Sequence, residues 1–276
     1  MIRIISLLVG LFFTVALGWS FVNGAITTAQ EGLPHTVEAQ FHKLPKELHL
    51  ASDGAFGKFD KQQLQRGFQV YKEVCSACHS LKFVAFRDLT ALGYNEDEVK
   101  AIAAGFNVPG VDPNTGEATT RPGLATDYFP KPFANDIAAR AANNNAVPPD
   151  LSLMTKARHE GGAYVYSLLT GYQNPPADLP SENRPSPSLH YNPYFPNLNL
   201  AMAPPLTGEG QVTYGEGNPK PTVDQMAKDV SAFLVWTAEP KLDKRKQTGW
   251  PVLGFLLFAS ILGYLAYRNV WADKKH

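Results

Sequence analysis

Both cysteines of this 276-residue chain fall inside one five-residue run, Cys75-Ser76-Ala77-Cys78-His79. Two thiols at i and i+3 lie on one side of a helical turn, and a histidine follows at once, which is the C-x-x-C-H pattern of covalent haem attachment. Each thiol can form a thioether with one vinyl group of a porphyrin, and His79 then stands beneath the plane as the proximal iron ligand. Other uses of the pair fit less well. Zinc wants a second ligand pair, and no further cysteine supplies one. A dithiol redox motif belongs near a βαβ pattern, which the sequence lacks. A disulfide framework is excluded beyond a bridge between these two.

Two apolar segments bracket the chain. Ile4 to Gln30 is uncharged, with Arg3 as its positive flank and small residues at Gly24 and Ala25. This reads as a secretory signal over residues 1–26, with a retained membrane segment as the alternative, since the run is long enough to span a hydrocarbon core. Gln247 to Tyr267 is also uncharged, with Trp250 at one end and Tyr264, Tyr267 and Trp271 at the other. The aromatic ends mark two membrane interfaces, so residues 247–271 are expected to form a transmembrane anchor in contact with the lipid bilayer. Basic residues flank it on both sides, so the positive-inside rule does not orient it. Haem c is attached outside the cytoplasm; residues 27–246 are therefore expected in the periplasm or its organellar equivalent, and the tail 272–276 on the inner side.

Formal charge is zero, but unevenly spread: Lys241, Lys244, Arg245, Lys246, Arg268, Lys274 and Lys275 crowd the last thirty-six residues. Thr27 to Pro240 holds 17 basic and 23 acidic residues, a balance of minus six. A mildly acidic head suits a basic protein partner and excludes a nucleic-acid binder.

Leu64, Phe68 and Tyr71 trace one helix face over residues 60–74, with Asp60 as N-cap. A second helix is expected from Thr222, its N-cap, to Pro240, with shorter pieces at 135–143 and 157–170. The remainder reads as irregular rather than strand-like. Residues 172–221 hold eleven of the twenty-two prolines, which excludes regular helix over most of that length. The aromatic content there (Tyr172, Tyr191, Tyr194, Phe195, Tyr214) suggests packing against something large and flat. A sixth iron ligand would come from Met154, Met202, Met226, His35, His42, His49, His159 or His190. Met226 on the apolar helix face, and Met154 beside Leu151 and Leu153, read as packing. Met202 lies between small residues and the rigid Pro204-Pro205 pair, which can hold a loop extended over a haem face; it is favoured, and the others stay open. Arg158, beside His159, is either a solvated surface side chain or a clamp for a porphyrin carboxylate.

These residues resemble a family. Arg66 to Lys72 leading into the haem motif, Phe83 to Arg87, Arg121-Pro122-Gly123, Asp127 to Pro132, Ala141 to Asn144, Pro148 to Ser152, Ala157-Arg158-His159, Ser167 to Tyr172, Asn192 to Pro196, Met202 to Pro205 and Ala227 to Val230 are similar, in order, to cytochrome c1. The resemblance implies a mostly α-helical, cytochrome c-like haem domain with long irregular loop insertions plus a C-terminal transmembrane helix. It implies one covalent haem c held through Cys75 and Cys78, with His79 and Met202 as iron ligands. Arg158 and Tyr164 are then expected at the propionates, and Asn143, Pro148 and Phe195 in the pocket wall. The implied role is a redox subunit of a ubiquinol-cytochrome c reductase, with no bond chemistry of its own. It would take an electron from the Rieske iron-sulfur protein beside cytochrome b, in a dimeric complex of a bacterial inner membrane, and pass it to a soluble or membrane-tethered cytochrome c. Residues 212–224 hold fewer acids than mitochondrial members lead one to expect. Two other readings remain: a free-standing anchored cytochrome c, and a haem-based sensor or peroxidase.

Overall fold

The computed structural model describes residues 2–32 and 36–274; His35 and Lys275, named above, lie outside them, as does His276 at the end of the tail. In chain order the elements are α1 (Ile2–Glu31), α2 (Val37–Phe41), α3 (Lys61–Glu73), α4 (Glu96–Ala104), the antiparallel hairpin β1 (Asn107–Val111) and β2 (Ala118–Pro122), α5 (Asp136–Ala142), α6 (Gly161–Leu169), the antiparallel pair β3 (His190–Tyr191) and β4 (Asn199–Leu200), α7 (Val223–Ala238) and α8 (Leu242–Trp271). Turns of 3₁₀ helix lie at Cys75–Ala77, Phe86–Leu92 and Ser181–Asn183. The chain is mostly helical with little strand, as the resemblance implies.

The core forms where α3 crosses α7. Asp60 caps α3 by accepting from the backbone N–H groups of Gln62 and Gln63, and Thr222 caps α7 by accepting from that of Gln225. Each thereby satisfies donors that a helix start leaves free. The apolar faces bury Leu64, Phe68 and Tyr71 against Met226, Val230 and Phe233. The helices touch at Gly67, where a Cβ would stand 2.0 Å from the backbone oxygen of Asp229. Beside this contact Arg66 Nε and Nη2 donate to the two carboxylate oxygens of Asp229 at 2.9 and 3.2 Å. Phe68 and Tyr71 pack on Phe233 with ring centroids 5.6 and 5.8 Å apart, and α6 closes the other side of α7.

Several local expectations shift. The piece expected at 157–170 begins only at Gly161, because Glu160 takes a left-handed conformation (φ 49°) and a Cβ on Gly161 would stand 1.7 Å from the Thr155 carbonyl oxygen. The segment before it therefore turns rather than coils. Helix α4 was not anticipated, although Asn95 and Glu98 form a complete capping box at its start. The two hairpins also correct the irregular reading of the connecting segments. α8 starts five residues before the uncharged run, so the basic turn Lys244-Arg245-Lys246 belongs to the same helix. Helices α1, over Ile2–Gln30, and α8 are each long and apolar enough to cross a membrane, and the second fits a membrane anchor.

Candidate haem-binding site

Helix α3 delivers the motif. It ends at Glu73, and the chain tightens into the 3₁₀ turn, where Cys78 N and His79 N both donate to the Cys75 carbonyl, at 3.1 and 2.9 Å. The Tyr71 hydroxyl donates to the His79 carbonyl at 3.0 Å and ties the turn back to the core. His79 Nδ1 lies 2.8 Å from the Pro149 carbonyl oxygen. A carbonyl only accepts, so Nδ1 carries the proton and Nε2 is left with its lone pair, the state a metal-ligating imidazole needs. Burial lowers the His79 pKa, against the opposing pull of the Pro149 bond and the Asp150 charge, which keeps the ring neutral. Burial, helped by Cys78, pushes the Cys75 thiol up to about 12.

The Pro149 carbonyl is a fixed acceptor because Asp150 pins its segment. The Asp150 carboxylate accepts from the Ser80 hydroxyl (2.7 Å), Lys82 N (2.8 Å) and Ser152 N (3.0 Å), and Leu151 N donates to the Ser80 carbonyl at 2.9 Å. Burial pushes this carboxyl up, but the hydrogen bonds from Lys82, Ser80 and Ser152 together outweigh it and hold the pKa below the usual carboxylate value.

The motif opens into a mainly apolar cavity of about 630 Å³, within the range of small-molecule and cofactor sites, roughly 300–1,000 Å³. All nine residues singled out above line it: Cys75, Cys78, His79, Asn143, Pro148, Arg158, Tyr164, Phe195 and Met202. Asn143 is set by its side-chain amide donating to the Ala139 carbonyl at 2.7 Å. Arg158 is exposed, donates to the Ala157 carbonyl at 3.0 Å and lies 5.9 Å from the Tyr164 ring centroid; among the described residues it has no carboxylate partner. The loop bearing Met202 is held by the Tyr172 hydroxyl, which donates to the Met202 carbonyl at 3.0 Å.

Other sequence-based candidates go elsewhere. Met226 is fully buried in the α3–α7 core, as its helical spacing suggested. His49 pairs with Glu47 at 2.9 Å, and His42, His159 and His190 do not line the cavity. Met154, read as packing, does line it while also touching the core. The proline-rich segment is only partly the expected cover for a flat object. Phe195 faces the cavity, but Tyr191 joins a separate cluster with Leu179 and Leu198, Tyr194 flanks Lys46, and Tyr214 lies against Arg66. Leu168, Val230 and Leu234 also line the cavity but were not expected there, because apolar residues at helical spacing read equally as core. Among the described residues no three His, Cys, Asp or Glu side chains gather to hold a metal ion.

These residues fit a haem. Two thiols, an oriented neutral imidazole and a thioether line a cofactor-sized apolar cavity, and the Arg158 guanidinium, without a carboxylate partner among the described residues, stands at hand for an acidic edge. A helical domain built this way is a haem-bearing electron carrier. The Cytochrome C1 family profile matches residues 50–274. Cytochrome c1 of Rhodospirillum rubrum is 46% identical over 235 residues, covering 81% of this chain and 86% of the relative. The mitochondrial cytochrome c1 haem protein of Saccharomyces cerevisiae is 42% identical over 255 residues, 92% and 76% of the two chains. A Bradyrhizobium diazoefficiens protein named cytochrome b/c1 is 44% identical over 238 residues, 80% of this chain and 34% of that longer one. The chain belongs to the cytochrome c1 family, the haem-bearing electron-transfer subunit of the cytochrome bc1 complex.

Proposed function

We propose that this chain takes one electron from a Rieske iron-sulfur protein and passes it to a cytochrome c, a covalently bound haem c supplying the one-electron iron couple. One observation carries the reading: in a cytochrome c1 family chain, the attachment pair, an imidazole oriented by Pro149 and the Met202 thioether meet at a single apolar cavity. The chain's own residues divide the work. Cys75 and Cys78 would supply the two thiols for attachment, His79 Nε2 would give its lone pair to the iron, and the apolar wall excludes water. Arg158, with Tyr164 beneath it, holds a propionate by charge-assisted hydrogen bonds, while Asn143, Pro148 and Phe195 shape the pocket.

Met202 would supply the second iron ligand. Among the described residues Met154 also lines the cavity, but it lies four residues after Asp150, in the segment already hydrogen-bonded to the His79 turn, and it packs on the core. Met202 comes from a separate wall held by Tyr172. With His79 and Met202 both held by the iron, a bound haem would offer no free position to a substrate, which favours electron transfer over sensing or peroxidase chemistry. The fused Bradyrhizobium relative, by its name, supports cytochrome b as the neighbour. Residues 1–26 act as the export signal, residues 27–246 lie in the periplasm, and 247–271 anchor them in the bacterial inner membrane within a dimeric complex.

The test is a spectroelectrochemical titration of the haem-loaded full chain, wild type against Met202→Leu. The expected outcome is a potential lower by on the order of a few tenths of a volt, inside the span of about 0.8 V that axial ligands set, with carbon monoxide binding newly gained. An unchanged potential and spectrum would remove Met202 as the ligand.

A further inference from the structure

The head and α8 meet at a joint that haem binding does not use. Between Leu50 and Phe59 the chain forms a tight loop whose Ser52, Gly54 and Gly57 carbonyls all accept from Lys246 Nζ, at 2.6, 2.6 and 3.2 Å. The same stretch of α8 accepts from Phe59 N through Asp243 Oδ1 at 3.1 Å. Glycine is required at two places: Gly54 has φ +68°, and a Cβ on Gly57 would stand 1.9 Å from the Asp53 carbonyl oxygen. Four residues beyond Lys246, on the same helix face, Trp250 stacks on Phe56 with centroids 4.9 Å apart and planes 11° from parallel. Phe56 is nevertheless 79% exposed and Trp250 47%.

We propose that the loop 53–57 is a second membrane contact of the haem domain, with Phe56 seated in the boundary between headgroups and acyl chains of the bilayer that α8 crosses. The inference rests on reading α8 as a membrane span. Its occupant follows from continuity with that span. Trp250 lies three residues into the uncharged run of α8, and Tyr267 closes it roughly 25 Å further along at about 1.5 Å per residue, close to the roughly 30 Å of a hydrocarbon core. Trp250 therefore stands at interfacial depth, where aromatic rings concentrate, and a ring stacked on it shares that depth. Facing water, Phe56 would leave a large apolar surface uncovered; at the interface lipid covers it. Lys246, one turn above the apolar run, spends its donors on loop carbonyls and so fixes how deep the ring sits. Lys58, Lys241 and Lys244 remain exposed nearby in sequence, available to headgroup phosphates.

The experiment uses the haem-loaded full chain in lipid nanodiscs, with Phe56→Cys carrying a nitroxide; thioether formation leaves no free native thiol. Power-saturation EPR compares accessibility to oxygen and to a nickel chelate, with labels at Leu257→Cys inside the span and Thr115→Cys in the β1–β2 turn as references. The position 56 label is expected between the two, with oxygen accessibility several-fold above that of the chelate. A label at 56 as aqueous as that at 115, while 257 reads deep, overturns the proposal. So does a label shielded from both reagents, which means protein covers the ring. A label at 257 that reads aqueous removes the span itself and the proposal with it, a result distinct from the other two.

Discussion

At His79 a single carbonyl decides which nitrogen faces the cavity, and the chain guards that carbonyl with Asp150. The carboxylate's folded pKa lies below its unfolded value of about 3.9. Its stabilisation is therefore present above that value and lost as pH falls through the folded pKa. Asp150→Asn removes one of the acceptor oxygens, so the variant should be less stable than wild type at neutral pH, with the gap closing below about pH 4; acid unfolding followed by circular dichroism measures it. Tyr172 plays the matching part on the other wall. Tyr172→Phe loses one neutral hydrogen bond to Met202, worth about 0.5–1.5 kcal/mol. If Met202 is the iron ligand proposed above and that bond steadies its loop, the potential should drop by roughly tens of millivolts, at about 59 mV per tenfold for one electron, and carbon monoxide should bind faster than to wild type. A variant with unchanged potential and carbon monoxide kinetics would show that the loop holds without Tyr172.

Among the elements, the α3–α7 crossing sets the position of the motif, since α3 runs directly into Cys75. The contact depends on Gly67 lacking a side chain. Gly67→Ala forces a methyl against the Asp229 backbone and prises the helices apart, an overpacking cost of about 1–3 kcal/mol. A lower Tm together with a shifted haem absorption band is expected, because displacement of α3 moves the motif turn. A lower Tm with an unaltered band would mean that the turn is held by Tyr71 and Asp150 alone. The late start of α6 follows the same steric logic: Gly161 packs against the Thr155 carbonyl, and Glu160 turns left-handed to allow it. That turn leaves Arg158 outside the helix and at the cavity.

For the whole molecule, the consequence of the α8 joint is a head attached to its anchor by a short braced turn rather than a flexible tether. α7 ends at Ala238 and α8 begins at Leu242, and the 50–59 loop is bolted across the junction by Lys246 and Asp243. Lys246→Met leaves three carbonyls without their donor. Hydrogen exchange at the Asp53 and Lys58 amides, which close the loop onto Leu50 and Ala51, should then speed up at least tenfold, about 1.4 kcal/mol of lost protection. Exchange as slow as wild type would show that the loop closes without the lysine.

Cys75, Cys78 and His79 stood out in the sequence by their spacing, and the structure places all three at the cavity; the caps Asp60 and Thr222 and the apolar run of α8 were legible too. These are local signals, each complete within a few residues. Met202 was half legible, from its proline-bounded loop. Asn143, Pro148, Tyr164 and Phe195 came forward only through family resemblance, and Arg158 stood undecided without it. Only the tertiary structure decided that Met154 shares the cavity, that the tyrosines at 191, 194 and 214 do other work, and that Pro149 orients His79. Pro149 lies seventy residues from His79, and Tyr172 thirty from Met202. No periodicity records such pairings, because they exist only once the chain has folded back and the burial of polar groups has selected their partners.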